Sequence, residues 1–195
     1  MSEFNLDEIL SKLPNPERDY VLALIERDPL TGAHNRKSFN DYMAIQNSRM
    51  ERGEGPLCLI MLDVDHFGKY NENQGHQGGD LALQKLVSVV RSTLRPHDES
   101  LIFRYGGEEF VLGFGGETAQ EGRNIAERLR SAVEKECDFT VSVGVSDSLI
   151  AGENMENILA TADRALYCAK HSGRNQVMTY ENLSKMPLMK IGVRF

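Results

Sequence analysis

The chain has 195 residues, of which 41% are hydrophobic and 26% charged, with a formal net charge of −7. That length holds one domain with short extensions and a sizeable core. The acidic balance excludes the basic surface of a nucleic-acid binder and leaves a nucleotide ligand open, because local lysines and metals can outweigh the net field.

Residues 4–27 alternate in helical fashion. Leu6, Ile9, Leu10 and Leu13 form one apolar stripe, Pro14 and Pro16 interrupt it, and Tyr20, Val21, Leu24 and Ile25 form a second. The acidic start, Met1 to Glu8, has no apolar signal segment, and no run approaches the roughly 20 apolar residues of a membrane span. A cytoplasmic protein is expected. Asp28-Pro29-Leu30-Thr31-Gly32 signals a turn, and a helix follows from about Arg36 to Arg52, with Phe39, Tyr42, Met43 and Ile45 as its apolar residues.

The first strand is expected at 57–63, then a polar loop or short helix over 66–78. Gly79-Asp80 is read as the start of an amphipathic helix that Pro96 ends. A hairpin spans 100–115, a helix 118–135, and a half-buried strand of period two runs from Phe139 to Ser146. The last long helix covers 154–171 with Gly173 at its C-terminus, and a short strand near 176–180 closes the domain. This order predicts an α+β, ferredoxin-like βαββαβ plan with an antiparallel sheet. The expected division is a helical extension at 1–27, the domain at 28–180 and a tail at 181–195. Three scattered cysteines, Cys58, Cys137 and Cys168, show no metal-ligand spacing and read as reduced core thiols.

Two acidic sites stand at strand ends. Gly106-Gly107-Glu108-Glu109-Phe110 forms the hairpin tip, where glycines take positive φ freely and admit a bulky ligand. Adjacent glutamates there repel unless a cation sits between them. Asp63-Val64-Asp65 ends the apolar run from Leu57 to Leu62. If the two ends are neighbours, Asp63, Asp65, Glu108 and Glu109 make an oxygen-ligand set suited to Mg²⁺ and a polyphosphate. The plain alternative is two solvated acidic loop tips.

Between them runs a polar, glycine-rich stretch, Phe67 to Asp80, feeding a helix N-terminus whose N–H groups can bind phosphate. Asn71 and Asp80 can read a purine edge, and a carboxylate that accepts from a ring N–H and an exocyclic amine selects guanine. Asp80 as a helix N-cap and Asn71 as a turn residue are the bland alternatives. Lys170 and Arg174 can grip phosphates, or merely complement a helix C-terminus.

Nine ordered blocks carry a resemblance to a known family. They are Asp28-Pro29-Leu30-Thr31-Gly32, Asn35-Arg36, Asp63-x-Asp65-x-Phe67, Asn71, Gly75-His76, Gly79-Asp80, Arg104-Tyr105-Gly106-Gly107-Glu108-Glu109-Phe110, Ser142-Val143-Gly144, and the run from Ala162-Asp163 through Lys170 to Gly173-Arg174-Asn175. Over about residues 27–180 the chain resembles the GGDEF family of diguanylate cyclases. The resemblance implies a palm-like nucleotidyl cyclase fold that condenses two GTP into cyclic di-GMP and two pyrophosphates. It implies Mg²⁺, with Mn²⁺ as an alternative, held by Asp63, the Val64 carbonyl, Glu108 and Glu109. Glu108 also resembles the acceptor of the 3′-hydroxyl proton. Asn71 and Asp80, with His76 beside them, resemble the guanine readers, and Lys170 and Arg174 the phosphate clamp. A homodimer is implied, because each domain holds one GTP.

Two departures from the family pattern stand out. Gly68 replaces the lysine common after Phe67, with Lys69 one place later, and Glu72 stands where aspartate is usual. The family's inhibitory Arg-x-x-Asp ends five residues before the paired glycines. Here Arg95-Pro96-His97-Asp98 leaves seven, Glu99 to Tyr105, so Arg95 and Asp98 are candidates for a displaced inhibitory site. Activity is expected. The rivals are a catalytically silent module binding GTP or cyclic di-GMP, and a cyclase of relaxed base choice, which Asp80 disfavours. About 27 residues precede the domain, too few for a sensor. Either the chain is a fragment, or its first helices set dimer geometry or receive a regulatory partner.

Overall fold

The computed structural model describes residues 10–95, 100–152 and 155–180. The central element is β1 (Leu57–Val64), buried over its whole length. Its period-two alternation sends Cys58, Ile60, Leu62 and Val64 into one apolar cluster and Leu57, Leu59 and Met61 into another on the opposite face. Helices therefore cover both sides of the sheet.

On the first side lie α3 (Phe67–Thr93) and α4 (Ala119–Glu136). Leu83, Leu86, Val87 and Val90 of α3 meet Ile125, Ala126, Leu129 and Val133 of α4 above the sheet. A capping box fixes the start of α4: Thr118 and Glu121 each accept from the other's backbone N–H. On the second side lie α2 (Arg36–Glu51) and α6 (Met155–His171). Phe39 packs edge-on against Phe103 and Tyr105, while Ile45 of the same helix faces solvent and Gln46 is buried in its place.

The hairpin comprises β2 (Ser100–Gly106) and β3 (Glu109–Gly115), and β4 (Val141–Asp147) leads through the one-turn α5 (Ser148–Ala151) into α6. With β5 (Val177–Thr179) the sheet order is β2-β3-β1-β4-β5. Each neighbouring pair among β2, β3, β1 and β4 is antiparallel, as the βαββαβ plan requires. The fifth runs parallel to β4, so the sheet is mixed rather than purely antiparallel.

Two further expectations need correction. Gly79-Asp80 does not open a helix: α3 begins at Phe67, and its break is at Gly75, where φ 73 and ψ 166 leave helical space. Nor is β4 half-buried. All its residues are buried, because Gly144 lets α6 close onto the strand and Ser146 hydrogen-bonds Thr161 of that helix at 2.6 Å.

Ahead of the domain, α1 (Asn15–Glu26) buries none of its residues, and Tyr20 and Leu24 of its expected stripe are exposed. Its end is nonetheless anchored. Asn35 donates to the Ile25 carbonyl at 2.7 Å, and Ser38 donates to the Glu26 carbonyl at 2.8 Å. Leu6 and Ile9 of the first stripe, and the tail at 181–195, lie outside the described residues.

Candidate active site

The register of the sheet builds the site. Asp63 sits opposite Glu109 of β3 on one side and Ser142 of β4 on the other. The two acidic strand ends are therefore direct neighbours. Strand alternation turns Asp63 to the face where Met61 and Leu59 meet α6. Glu109 shares that face, and Glu108 precedes it at the turn, where Gly107 takes φ 31.

The last turn of α6 supplies the counter-charge. Lys170 Nζ lies 2.7 Å from Asp63 Oδ2. The helix can come this close because Ala162, Ala165 and Ala169 form its buried side, against the strand that carries Gly144. Burial raises the Asp63 carboxyl, the Lys170 ammonium offsets part of that rise, and the negative charges of Glu108 and Glu109 add to it, leaving it at about 6. Glu109 is raised as well, first by partial burial and then by Asp163 and Glu108, with Lys170 and Arg36 acting against.

Asp163 thus belongs to the same electrostatic group. Its position in the sequence sets it seven residues, two helical turns, before Lys170, on the same helix face. That periodicity was the signal available for it.

Asp65 has a different place from its neighbour. Its Oδ2 accepts from Thr140 Oγ1 at 2.7 Å and from the Asn175 N–H at 3.0 Å, and its Oδ1 from Ser142 Oγ at 2.6 Å. Three donors hold this carboxylate to β4 and to the turn after α6, an engagement that sets Asp65 apart from Asp63 with its Lys170 contact.

Asn71, His76 and Asp80 stand on α3, on either side of the Gly75 kink. The Asn71 amide oxygen is buried without a hydrogen-bond partner, at the spot a side chain on Gly79 would fill. An orphaned buried acceptor costs about 1–3 kcal/mol unless a ligand satisfies it. His76 and Asp80 are exposed. Asp80 lies inside the helix, five residues past the kink, so it is not an N-cap. Arg174 is exposed, in left-handed backbone at φ 63 just after α6. Arg95 is exposed beyond α3, while Asp98, its companion in the candidate inhibitory site, lies outside the described residues.

Among the described residues no three or more His, Cys, Asp and Glu side chains form a group that could hold a metal ion by themselves. The donor set nevertheless fits a hard divalent cation. Mg²⁺ is commonly held by one or two carboxylates and completed by substrate phosphates. Asp63 and Glu109 are adjacent across the strands, and Glu108 follows at the turn. Among the described residues no helix is long and apolar enough to cross a membrane.

The mixed sheet with helices on both faces, carrying neighbouring carboxylates on the adjacent strands β1 and β3, has the α+β arrangement of the palm-like nucleotidyl cyclase fold. The sequence profile described as "Diguanylate cyclase, GGDEF domain" matches residues 25–176. The chain belongs to this GGDEF family. It is 36% identical over 159 residues to diguanylate cyclase DgcP of Pseudomonas aeruginosa, covering 77% of this chain and 23% of that protein. It also resembles the coiled coil and GGDEF domain of DgcB from Caulobacter crescentus in complex with c-di-GMP. There the TM-score is 0.76 and the identity 31%, over 84% of this chain and 90% of that one. Diguanylate cyclase SiaD, solved with its activator SiaC from Pseudomonas aeruginosa, matches with TM-score 0.73 and 34% identity, over 89% and 70% of the two chains. The chain spans 23% to 38% of the length of the first curated relatives it matches.

Proposed function

We propose that this chain is a diguanylate cyclase that condenses two GTP into cyclic di-GMP and two pyrophosphates. The observation that carries the reading is the Asp63–Glu109 pairing, with Glu108 at the adjoining turn and Lys170 at 2.7 Å from Asp63. Asp63, the Val64 carbonyl, Glu108 and Glu109 would hold Mg²⁺, which when bound neutralises the charge that develops on the leaving pyrophosphate. Mn²⁺ shares the preference for oxygen ligands.

The chain's own residues do the rest. Asn71 and Asp80 accept from the guanine edge, with His76 beside them, and seat the base against the α3 kink. Lys170 and Arg174 bind the β- and γ-phosphates. Lys170 exchanges its contact with Asp63 for one with phosphate as substrate enters. Glu108 takes the proton of the 3′-hydroxyl. The freed 3′-oxygen bonds to the α-phosphorus of the second GTP, and the bond from that phosphorus to the bridging oxygen of pyrophosphate breaks. Each domain presents one nucleotide, so two domains face one another, and the reaction is run by positioning and charge complementarity.

A cytoplasmic setting, where GTP is found, belongs to the same reading. So does a regulatory partner received through the helices before the domain; α1 leaves Tyr20 and Leu24 uncovered.

The test is product formation from GTP and Mg²⁺ at increasing protein concentration. Cyclic di-GMP should form, and the rate per protomer should rise with concentration until pairing saturates. Absence of any cyclic dinucleotide, with GTP still bound, would turn the reading to a silent binding module. Cyclic GMP-AMP from mixed GTP and ATP would show relaxed base choice.

A further inference from the structure

Arg130, in the middle of α4, makes contacts that the cyclase reading does not use. Its side chain is 13% exposed although it is not one of the apolar residues that α4 turns to the core. Nη2 and Nε donate to Glu127 Oε1 at 2.8 and 2.9 Å, and Nη1 donates to Glu134 Oε2 at 2.8 Å. Nη1 also donates to Asn175 Oδ1 at 2.8 Å, 45 residues away. Asn175 in turn donates its side-chain amide to Glu134 Oε1 at 2.6 Å and its backbone N–H to Asp65 Oδ2 at 3.0 Å. The side-chain amide of Asn175 is thus held by α4, and its backbone N–H by Asp65 just past β1.

This grip falls on an unusual piece of backbone. Gly173 closes α6 at φ 115, and Arg174 and Asn175 follow at φ 63 and φ 45. Two consecutive non-glycine residues in the left-handed region are costly, and such backbone persists where the surroundings over-determine it. The Arg130–Glu134 pair does this from one side and Asp65 from the other. The residue so held next to Asn175 is Arg174, whose side chain is otherwise exposed.

We propose that Arg130 is a positioning residue for the triphosphate: acting through Asn175, it holds the left-handed turn that aims Arg174 at the β- and γ-phosphates. The inference rests on the phosphate role given to Arg174 above. It extends the site to α4, a helix that carries none of the blocks by which the family resemblance was recognised.

The experiment compares binding of 3′-deoxy-GTP with Mg²⁺, which lacks the attacking hydroxyl, and binding of guanosine, which lacks phosphates. Arg130→Met should weaken the triphosphate roughly tenfold, the scale expected when a charge-assisted contact is misplaced. Guanosine affinity should stay within about twofold, since the base site on α3 is untouched. Arg130→Lys, which keeps charge but not the planar fork, should recover only part of the loss. Asn175→Gly should reproduce the effect while tolerating the positive φ, which covers the case of an Arg130→Met protein that does not fold. Equal loss of both ligands would overturn the proposal in favour of a general packing role. So would an unchanged triphosphate affinity in Arg130→Met and Asn175→Gly alongside a large loss in Arg174→Ala. If Arg174→Ala itself binds the triphosphate normally, the phosphate role of Arg174 fails, and this proposal with it.

Discussion

Arg104 on β2 reaches back 76 residues to Asp28, with Nη1 at 3.0 and 3.1 Å from the two carboxylate oxygens. Its Nε donates to the Gly107 carbonyl at 2.9 Å. One guanidinium therefore ties the turn that follows α1 to the hairpin tip that carries Glu108. Burial works to raise the Asp28 carboxyl, but the hydroxyl and N–H of Thr31 and the Arg104 guanidinium outweigh it and hold it below the usual range.

Breaking this link should cost stability and activity together. Arg104→Met is expected to lower the unfolding free energy by about 1–3 kcal/mol at neutral pH, since it leaves a half-buried carboxylate with its Thr31 donors and no counter-charge. Asp28 is held ionised, so its contribution is present above the ordinary aspartate range and is lost as pH falls through its lowered value. A double-mutant cycle with Asp28→Asn in urea checks this. Additivity within about 0.5 kcal/mol would mean that the pair is not coupled.

Glu108→Ala should abolish cyclic di-GMP synthesis and leave the fold intact. The side chain is only partly covered at the turn, so the unfolding free energy should move by no more than about 0.5 kcal/mol. Product chromatography and a thermal melt decide it. Turnover within a few-fold of the native protein would remove Glu108 from the chemistry.

Asp63 carries a pH signature. Its carboxyl is raised to about 6 in the folded protein, so the native state holds this proton more tightly than the unfolded chain does. Stability should therefore fall as pH rises from the ordinary aspartate range through about 6, and stay lower above it. Asp63→Asn removes that cost. In EDTA the variant should be more stable than the native protein at about pH 8, by on the order of 1 kcal/mol, and nearly equal to it near pH 4. A native protein that is the more stable at pH 8 would show that the Lys170 contact outweighs burial.

Two glycine substitutions should part company. A Cβ on Gly79 would collide with the Asn71 side chain, which can swing away. The helix gains about 1 kcal/mol from alanine over glycine, so Gly79→Ala should fold almost normally but bind guanosine more weakly. A Cβ on Gly144 would meet the Ala162 carbonyl and the Leu166 N–H, which are backbone atoms that cannot step aside. Gly144→Ala should destabilise by about 1–3 kcal/mol or more, because α6 must lift from β4. Calorimetry and guanosine titration of both variants test the contrast. Equal guanosine affinity in Gly79→Ala and native protein would exclude Asn71 from base recognition.

Local pattern carried much of the molecule. The Leu57–Leu62 run, the hairpin around Gly106-Gly107 and the amphipathic repeats of α4 and α6 are legible in sequence because periodicity and turn chemistry act within a few residues. So is the pairing of chemistry with position, since acidic residues at the ends of apolar strands announce themselves. What stayed hidden depends on partners distant along the chain. Asp63 and Asp65 are two residues apart and look alike as letters. Only the packing of β4 and the turn after α6 gives one carboxylate two hydroxyls and an N–H, and only the approach of α6 gives the other an ammonium. The break at Gly75 rather than Gly79, and the burial of both faces of β4, were decided in the same way. A glycine permits a kink or a close contact, and the neighbour that arrives determines which of these it becomes.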